Sequence, residues 1–206
     1  MLRLAVVGRE VAEIETLVIR NREAAENLDK IGAPRPTWRE GIPPPQRLPR
    51  AELVRIANMY FSGIEHNDGK GDYPLAPDCA RLENGAWTAG PLARMGCLEQ
   101  FRTGMFHYVT RIRDRRFVAV DSERGLAFAF AFFDNAAGDA RHVTLADGRR
   151  VESGPVVPWT WQIAEVFKIV DGKIGPVESV LQPVPYGMGS GWSTWEQTLS
   201  SDPREN

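Results

Sequence analysis

Residues 50–85 read RAELVRIANMYFSGIEHNDGKGDYPLAPDCARLENG, and the pattern is helix, turn, loop, strand. Leu53, Ile56, Ala57, Tyr60, Phe61 and Ile64 recur at helical spacing and form one apolar stripe. Tyr60 lies inside that stripe, so its hydroxyl is carried toward the interior. There it needs a hydrogen-bond partner or a ligand that becomes one. Asn67–Asp72 is the turn, the prolines after it bound a short loop, and a strand ends at Glu83-Asn84-Gly85.

Upstream, residues 3–30 carry Leu4, Val7, Val11, Ile14, Leu17, Val18 and Ile19 among polar residues without proline, which predicts a helix. Residues 32–49 hold six prolines in eighteen positions and predict a polyproline-like connector over the surface, or an arm around a partner subunit. Downstream, residues 86–95 read as loop, and Gly96–Gly104 as a short helix stopped by Gly104. His107–Asp121 is β-rich. Residues 126–133, LAFAFAFF, alternate with a period of two: Phe128, Phe130 and Phe132 on one face, Ala127, Ala129 and Ala131 on the other. The large face is expected to fill a pocket wall or core. The small face is expected to admit a second layer or subunit, hence a homodimer or higher homo-oligomer packed sheet on sheet.

Residues 135–158 form a polar insertion with a hairpin near Ala146-Asp147-Gly148. Residues 159–170, WTWQIAEVFKIV, are the next long strand, with Trp161, Ile163, Glu165, Phe167 and Ile169 on one side. Asp171-Gly172 turns it back into residues 173–183, where Gly175-Pro176 predicts a bulge or an edge. The tail from Val184 is expected to pack through Trp192 and Trp195 and then fray. Helices followed by a meander of long strands make an α+β domain, a curved antiparallel sheet wrapped around a helix with an apolar pocket at its open end. The divisions are 1–49 (helix and proline-rich connector), 50–183 (cone domain) and 184–206 (tail).

The chain has 206 residues and a net charge of -2, which gives no general attraction to nucleic acid or acidic lipid. Neither nucleic acid nor membrane is expected as a partner. Its two cysteines, Cys79 and Cys97, can form one bridge but no disulfide framework, so a cytoplasmic location is the expectation. Scattered histidines and these cysteines lack metal-ligand spacing. No phosphate-cradling glycine loop opens a helix, and Asn67–Asp72 lacks the ligand set of a calcium loop.

The hairpin WQIAEVFKIVDGKI, residues 161–174, resembles the SnoaL-like branch of the nuclear transport factor-like superfamily, over about residues 50–183. Ketosteroid isomerases of that superfamily place a tyrosine on the helix and an acidic base on the strand after a short acidic loop. Tyr60 and Glu83 stand at the matching positions. No equivalent of their second acid stands in the corresponding region, Val118-Ala119-Val120, which speaks against steroid isomerisation. The stretches NDGKGDYP (67–74), DCARLENG (78–85) and IRDRRFVAVDSERG (112–125) are similar to a subgroup that includes the cofactor-free diarylpropane γ-formaldehyde lyases of lignin-dimer catabolism.

That resemblance implies a lyase on a small, bulky aromatic diol, with no cofactor and no metal. Tyr60 or His107 would serve as general acid and Glu83 or His107 as base. Glu83 reads either as a buried base or as a solvated turn acid. Arg81, on its strand face, would pair with it structurally or orient it. Arg113, in the basic run 111–116, reads as an exposed-face ion pair or as a cation reaching a phenolate. Phe101, Phe128, Phe130 and Trp161, with Arg81, would hold the substrate. A cyclase, isomerase or dehydratase on a polyketide-like ligand, and a non-catalytic binding module, remain the alternatives.

Overall fold

The computed structural model describes residues 1–138, 142–145, 148–152 and 154–205. Among the described residues the α-helices and strands follow in this chain order. A hairpin of β1 (Leu2–Val7) and β2 (Glu10–Thr16) comes first, then α1 (Arg22–Ile31) and the long α2 (Arg50–Glu65). β3 (Arg81–Glu83), β4 (Ala86–Ala89) and α3 (Cys97–Thr103) come next. The long strands are β5 (Val109–Asp121), β6 (Leu126–Asn135), β9 (Trp159–Val170) and β10 (Lys173–Val184). β7 (His142–Thr144) and β8 (Arg150–Glu152) pair between β6 and β9. α4 (Trp195–Leu199) and β11 (Arg204–Glu205) close the chain.

The main sheet has seven strands in the order β11-β5-β6-β9-β10-β3-β4. It curves around α2, giving the α+β cone that the resemblance implies. Leu53, Ile56, Ala57, Tyr60, Phe61 and Ile64 are all nearly inaccessible, as the stripe requires. Phe61 meets Phe133 and Phe167 of the sheet edge-to-face, at 5.8 and 5.4 Å.

Ala127, Ala129 and Ala131 face this helix and belong to the same core. Their methyl groups leave room for its aromatic rings, so α2 of the same chain fills the face on which a second subunit was expected. Phe128 and Phe130 point to the opposite side of the sheet. There they pack with Leu17 at the end of the N-terminal hairpin and serve as outer core rather than pocket wall.

The helix expected over residues 3–30 is instead the hairpin β1–β2 followed by the short α1. Gly8 and Arg9 both have positive φ (57° and 77°), the signature of a tight turn that reverses the chain. The β-branched residues on either side favour strands. The hairpin is anchored beneath by a fully buried ion pair between Glu15 and Arg116. Inside the proline-rich connector, Pro36–Trp38 and Pro44–Gln46 form short 3₁₀ turns. Residues 86–89, expected as loop, form β4 across an Asn84-Gly85 turn with both φ positive (46° and 78°). A register shift in β10 between Ile174 and Val177 marks the bulge expected at Gly175-Pro176. The hairpin expected near Ala146-Asp147-Gly148 corresponds to β7–β8, with Ala146 and Asp147 outside the described residues.

The tail is held by polar contacts and not by its tryptophans, which are 39% and 69% exposed. Asp114, in the left-handed region at φ 52°, accepts hydrogen bonds from Ser190, Ser193 and Arg204. Beyond α4 the chain adds β11 to the sheet edge beside β5. Cys79 and Cys97 are joined in a buried disulfide. An oxidising compartment maintains such a bridge, so the cysteines give no ground for a reducing one. Among the described residues no helix is long and apolar enough to cross a membrane.

Candidate active site

Strand pairing brings the site together. β3 runs parallel to β10 with Glu83 beside Ser179, and Ser179 in turn lies beside Glu165 of β9. Residues paired across a sheet share a face, so Glu83 and Glu165 look into the same space from backbones roughly 10 Å apart. Arg81, two positions before Glu83, shares that face. α2 lowers Tyr60 onto it and α3 brings Gln100. Between sheet and helices lies a cavity of about 330 Å³, bordered by Tyr60, Arg81, Glu83, Gln100 and Glu165 at its polar end. Phe106, Tyr108, Phe133, Trp161, Ile163 and Leu181 supply much of the remaining wall. That volume is at the lower end for small-molecule sites.

Arg81 is 5% exposed and organises the polar end. It donates to Tyr60 Oη at 3.3 Å, to Gln100 Oε1 at 2.9 Å and to Thr88 Oγ1 at 3.0 Å. Its Nε lies 3.0 Å from Glu83 Oε1, and its guanidinium stacks over Phe106. Gln100 is fixed by its own donation to Thr88 O at 2.6 Å. The disulfide joins the approach to β3 to the first residue of α3, so one covalent link ties the Arg81 and Gln100 segments together.

Glu165 is 2% exposed and its Oε2 has no partner among the described residues. Burial, reinforced by the nearby Glu83 charge, pushes its carboxyl up to about 8, while Arg81 and a hydrogen bond with Tyr60 pull the other way. At neutral pH it is therefore mostly a neutral acid, able to donate. Burial also raises the Tyr60 hydroxyl well above the ordinary phenol range, against the opposing pull of Arg81. The Tyr108 hydroxyl is raised by burial and then by Glu83. Two carboxyl groups thus face one cavity in different states: Glu83 ion-paired, Glu165 neutral.

Of the residues singled out from sequence, Tyr60, Glu83, Arg81 and Trp161 border this cavity. Phe101 does not; it lies behind Tyr60, ring centroids 5.3 Å apart, and backs the phenol from the core. His107 precedes β5 with Nδ1 3.3 Å from Gly104 O and does not border the cavity. Arg113 is on the outer face, where it forms a bidentate pair with Asp134 at 2.7 and 3.0 Å and donates to tail carbonyls. Arg113, Arg115 and Arg116 of the basic run are thus paired as the plainer reading has it, but buried and not exposed: Arg115 meets Glu65 at 2.6 Å, and Arg116 meets Glu15.

Glu165, Gln100 and Asn135 were not singled out. Glu165 had a visible signal, a carboxylate inside the inward face Trp161–Ile163–Phe167–Ile169, and it puts a second carboxyl on the cavity wall. Gln100 and Asn135 carry no local signal, because only the sheet and α3 bring them to the cavity. Asn67 spends its amide on Phe101 O and Phe106 N, at 2.8 and 3.1 Å. Among the described residues no group of three or more His, Cys, Asp or Glu side chains is placed to hold a metal ion.

No curated protein matches the chain. Among solved structures it is similar to AclR of Streptomyces galilaeus, described as a candidate hydroxylase, at 12% identity and TM-score 0.43, over 65% of this chain and 91% of that one. A de novo designed protein with a curved β-sheet is similar at 14% identity and TM-score 0.41, over 66% and 88%. An NTF2-like protein of Anabaena variabilis is similar at 12% identity and TM-score 0.36, over 64% and 90%. The model of the family described as "Domain of unknown function (DUF8021)" matches residues 46–181, well over half of the chain, and the chain belongs to that family.

Proposed function

We propose that the cavity is an acid–base active site working without a cofactor on a bulky aromatic ligand. In its specific form it is a carbon–carbon lyase that releases formaldehyde from a diarylpropane-type diol. The observation that carries this reading is the pair of carboxyl groups bordering one cavity, Glu83 ion-paired with Arg81 and Glu165 buried with its Oε2 unpartnered among the described residues. A site holding one acid and one base at the same pH can move protons in both directions within one turnover.

Glu165 donates a proton to the benzylic hydroxyl, which leaves as water while the para-phenol gives up its proton, forming a quinone methide. Glu83 takes the proton of the terminal hydroxyl. The bond to the terminal carbon then breaks, its electron pair forms the alkene, and formaldehyde departs. The ring regains aromaticity as a phenolate, which is reprotonated. Substrate becomes stilbene, formaldehyde and water, with protons balanced. Tyr60, held by Arg81, hydrogen-bonds the oxygen that gains charge, and the apolar walls exclude water.

The test is formaldehyde and stilbene release from a phenolic diarylpropane diol by wild type, Glu165→Gln and Glu83→Gln. Each substitution should lower kcat by about 10²–10⁴-fold. Turnover that survives both, or ligand binding without turnover in wild type, overturns the reading; the second outcome marks a binding module.

A further inference from the structure

We infer that Asn135 selects the ligand at the end of the cavity opposite Glu165, by accepting a hydrogen bond from a ligand hydroxyl. The cavity then takes a two-ring aromatic molecule with an oxygen function at each end. This rests on the cavity being the ligand site, as proposed above.

Asn135 is fully buried and borders the cavity. Its Nδ2 is directed at two carbonyls, Phe133 O at 2.9 Å and Trp159 O at 3.5 Å. Those two acceptors fix which way the amide points, and Oδ1 has no partner among the described residues. A buried acceptor without a donor is costly, and a cavity-lining one is a place for a ligand to donate. A ligand hydroxyl can donate to that oxygen; a methyl ether can only accept.

The spacing sets the ligand's length. Glu165 lies six residues further along β9 than Trp159, the register partner of Asn135, so roughly 20 Å of strand separates the two rows. Even with both side chains leaning inward, one aromatic ring cannot bridge that span with its two oxygens. Two rings on a short linker can. Phe133, Trp161, Ile163 and Leu181 between the ends supply apolar wall for such a body.

The experiment titrates the protein with a stilbene bearing a phenolic hydroxyl on each ring, and with its dimethyl ether, following tryptophan fluorescence. Methylation of both oxygens leaves no donor for Asn135 in either orientation, so wild type should bind the ether about tenfold to a hundredfold more weakly. Asn135→Leu should lose most of that discrimination, and Phe128→Leu, on the outer face of the sheet, should keep it. Equal binding of diphenol and ether by wild type overturns the inference without reference to any variant's folding. Discrimination without turnover of the diol supports it while removing the lyase reading; turnover without discrimination does the reverse.

Discussion

Replacing Glu165 by glutamine should make the protein more stable in alkaline solution, although it removes a buried, cavity-facing group. In the unfolded chain this carboxyl releases its proton near the ordinary 4.5; in the folded chain it holds it to about 8. Between those values the folded state binds one more proton than the unfolded state, so raising the pH favours unfolding. Each pH unit in the window costs about 1.4 kcal/mol, and crossing it costs up to about 5 kcal/mol. Glutamine resembles the protonated acid in shape and cannot ionise. Urea unfolding of wild type and Glu165→Gln from pH 5 to pH 9, disulfide intact, is the assay. Other titrating groups act in both proteins and cancel in the difference, which should be near zero at pH 5, grow with pH in favour of the variant, and level off above about 8. Parallel stability curves across the range would refute the argument, because they would mean that Glu165 ionises in the folded state as readily as in the unfolded one.

Two further outcomes separate scaffold from site. Arg116→Leu leaves Glu15 buried with its main partner gone and should lower stability by about 3–5 kcal/mol in the same unfolding assay, with stilbene affinity unchanged in the fraction that folds. Replacing both Cys79 and Cys97 by serine opens a link between residues 18 apart; it should cost about 3 kcal/mol and weaken stilbene binding as well, since the Arg81 and Gln100 segments then lose their tie.

The sequence exposed elements whose pattern is local. The stripe on α2, the turns at Asp171-Gly172 and Gly104, and the period-two strands read correctly because side-chain periodicity alone decides them. The N-terminal hairpin was misread because Leu4, Val7, Val11, Ile14 and Val18 also fit a helical spacing, and a positive φ at Arg9 leaves no mark in residue type. The alanine and phenylalanine faces of β6 were separated correctly and assigned to the wrong sides. Alternation gives two faces but does not say which one the helix will occupy. Here the bulkier helix rings claim the smaller face, and a hairpin that was not foreseen covers the larger one. Tyr60, Arg81 and Glu83 were accessible to reasoning because turn and strand place them within one short stretch. Asn135 and Gln100 reach the cavity through strand register and α3 packing, which only the folded chain defines.

The raised carboxyl of Glu165 follows from charge counting at the polar end of the cavity. Arg81 brings one positive charge into a water-poor space, and Glu83 lies against it at 3.0 Å. Ionising Glu165 as well would leave a second negative charge there with no cation of its own and little water to solvate it. Taking up a proton removes that cost, so burial and the neighbouring charge keep the Glu165 carboxyl protonated while Glu83 keeps its ion pair with Arg81.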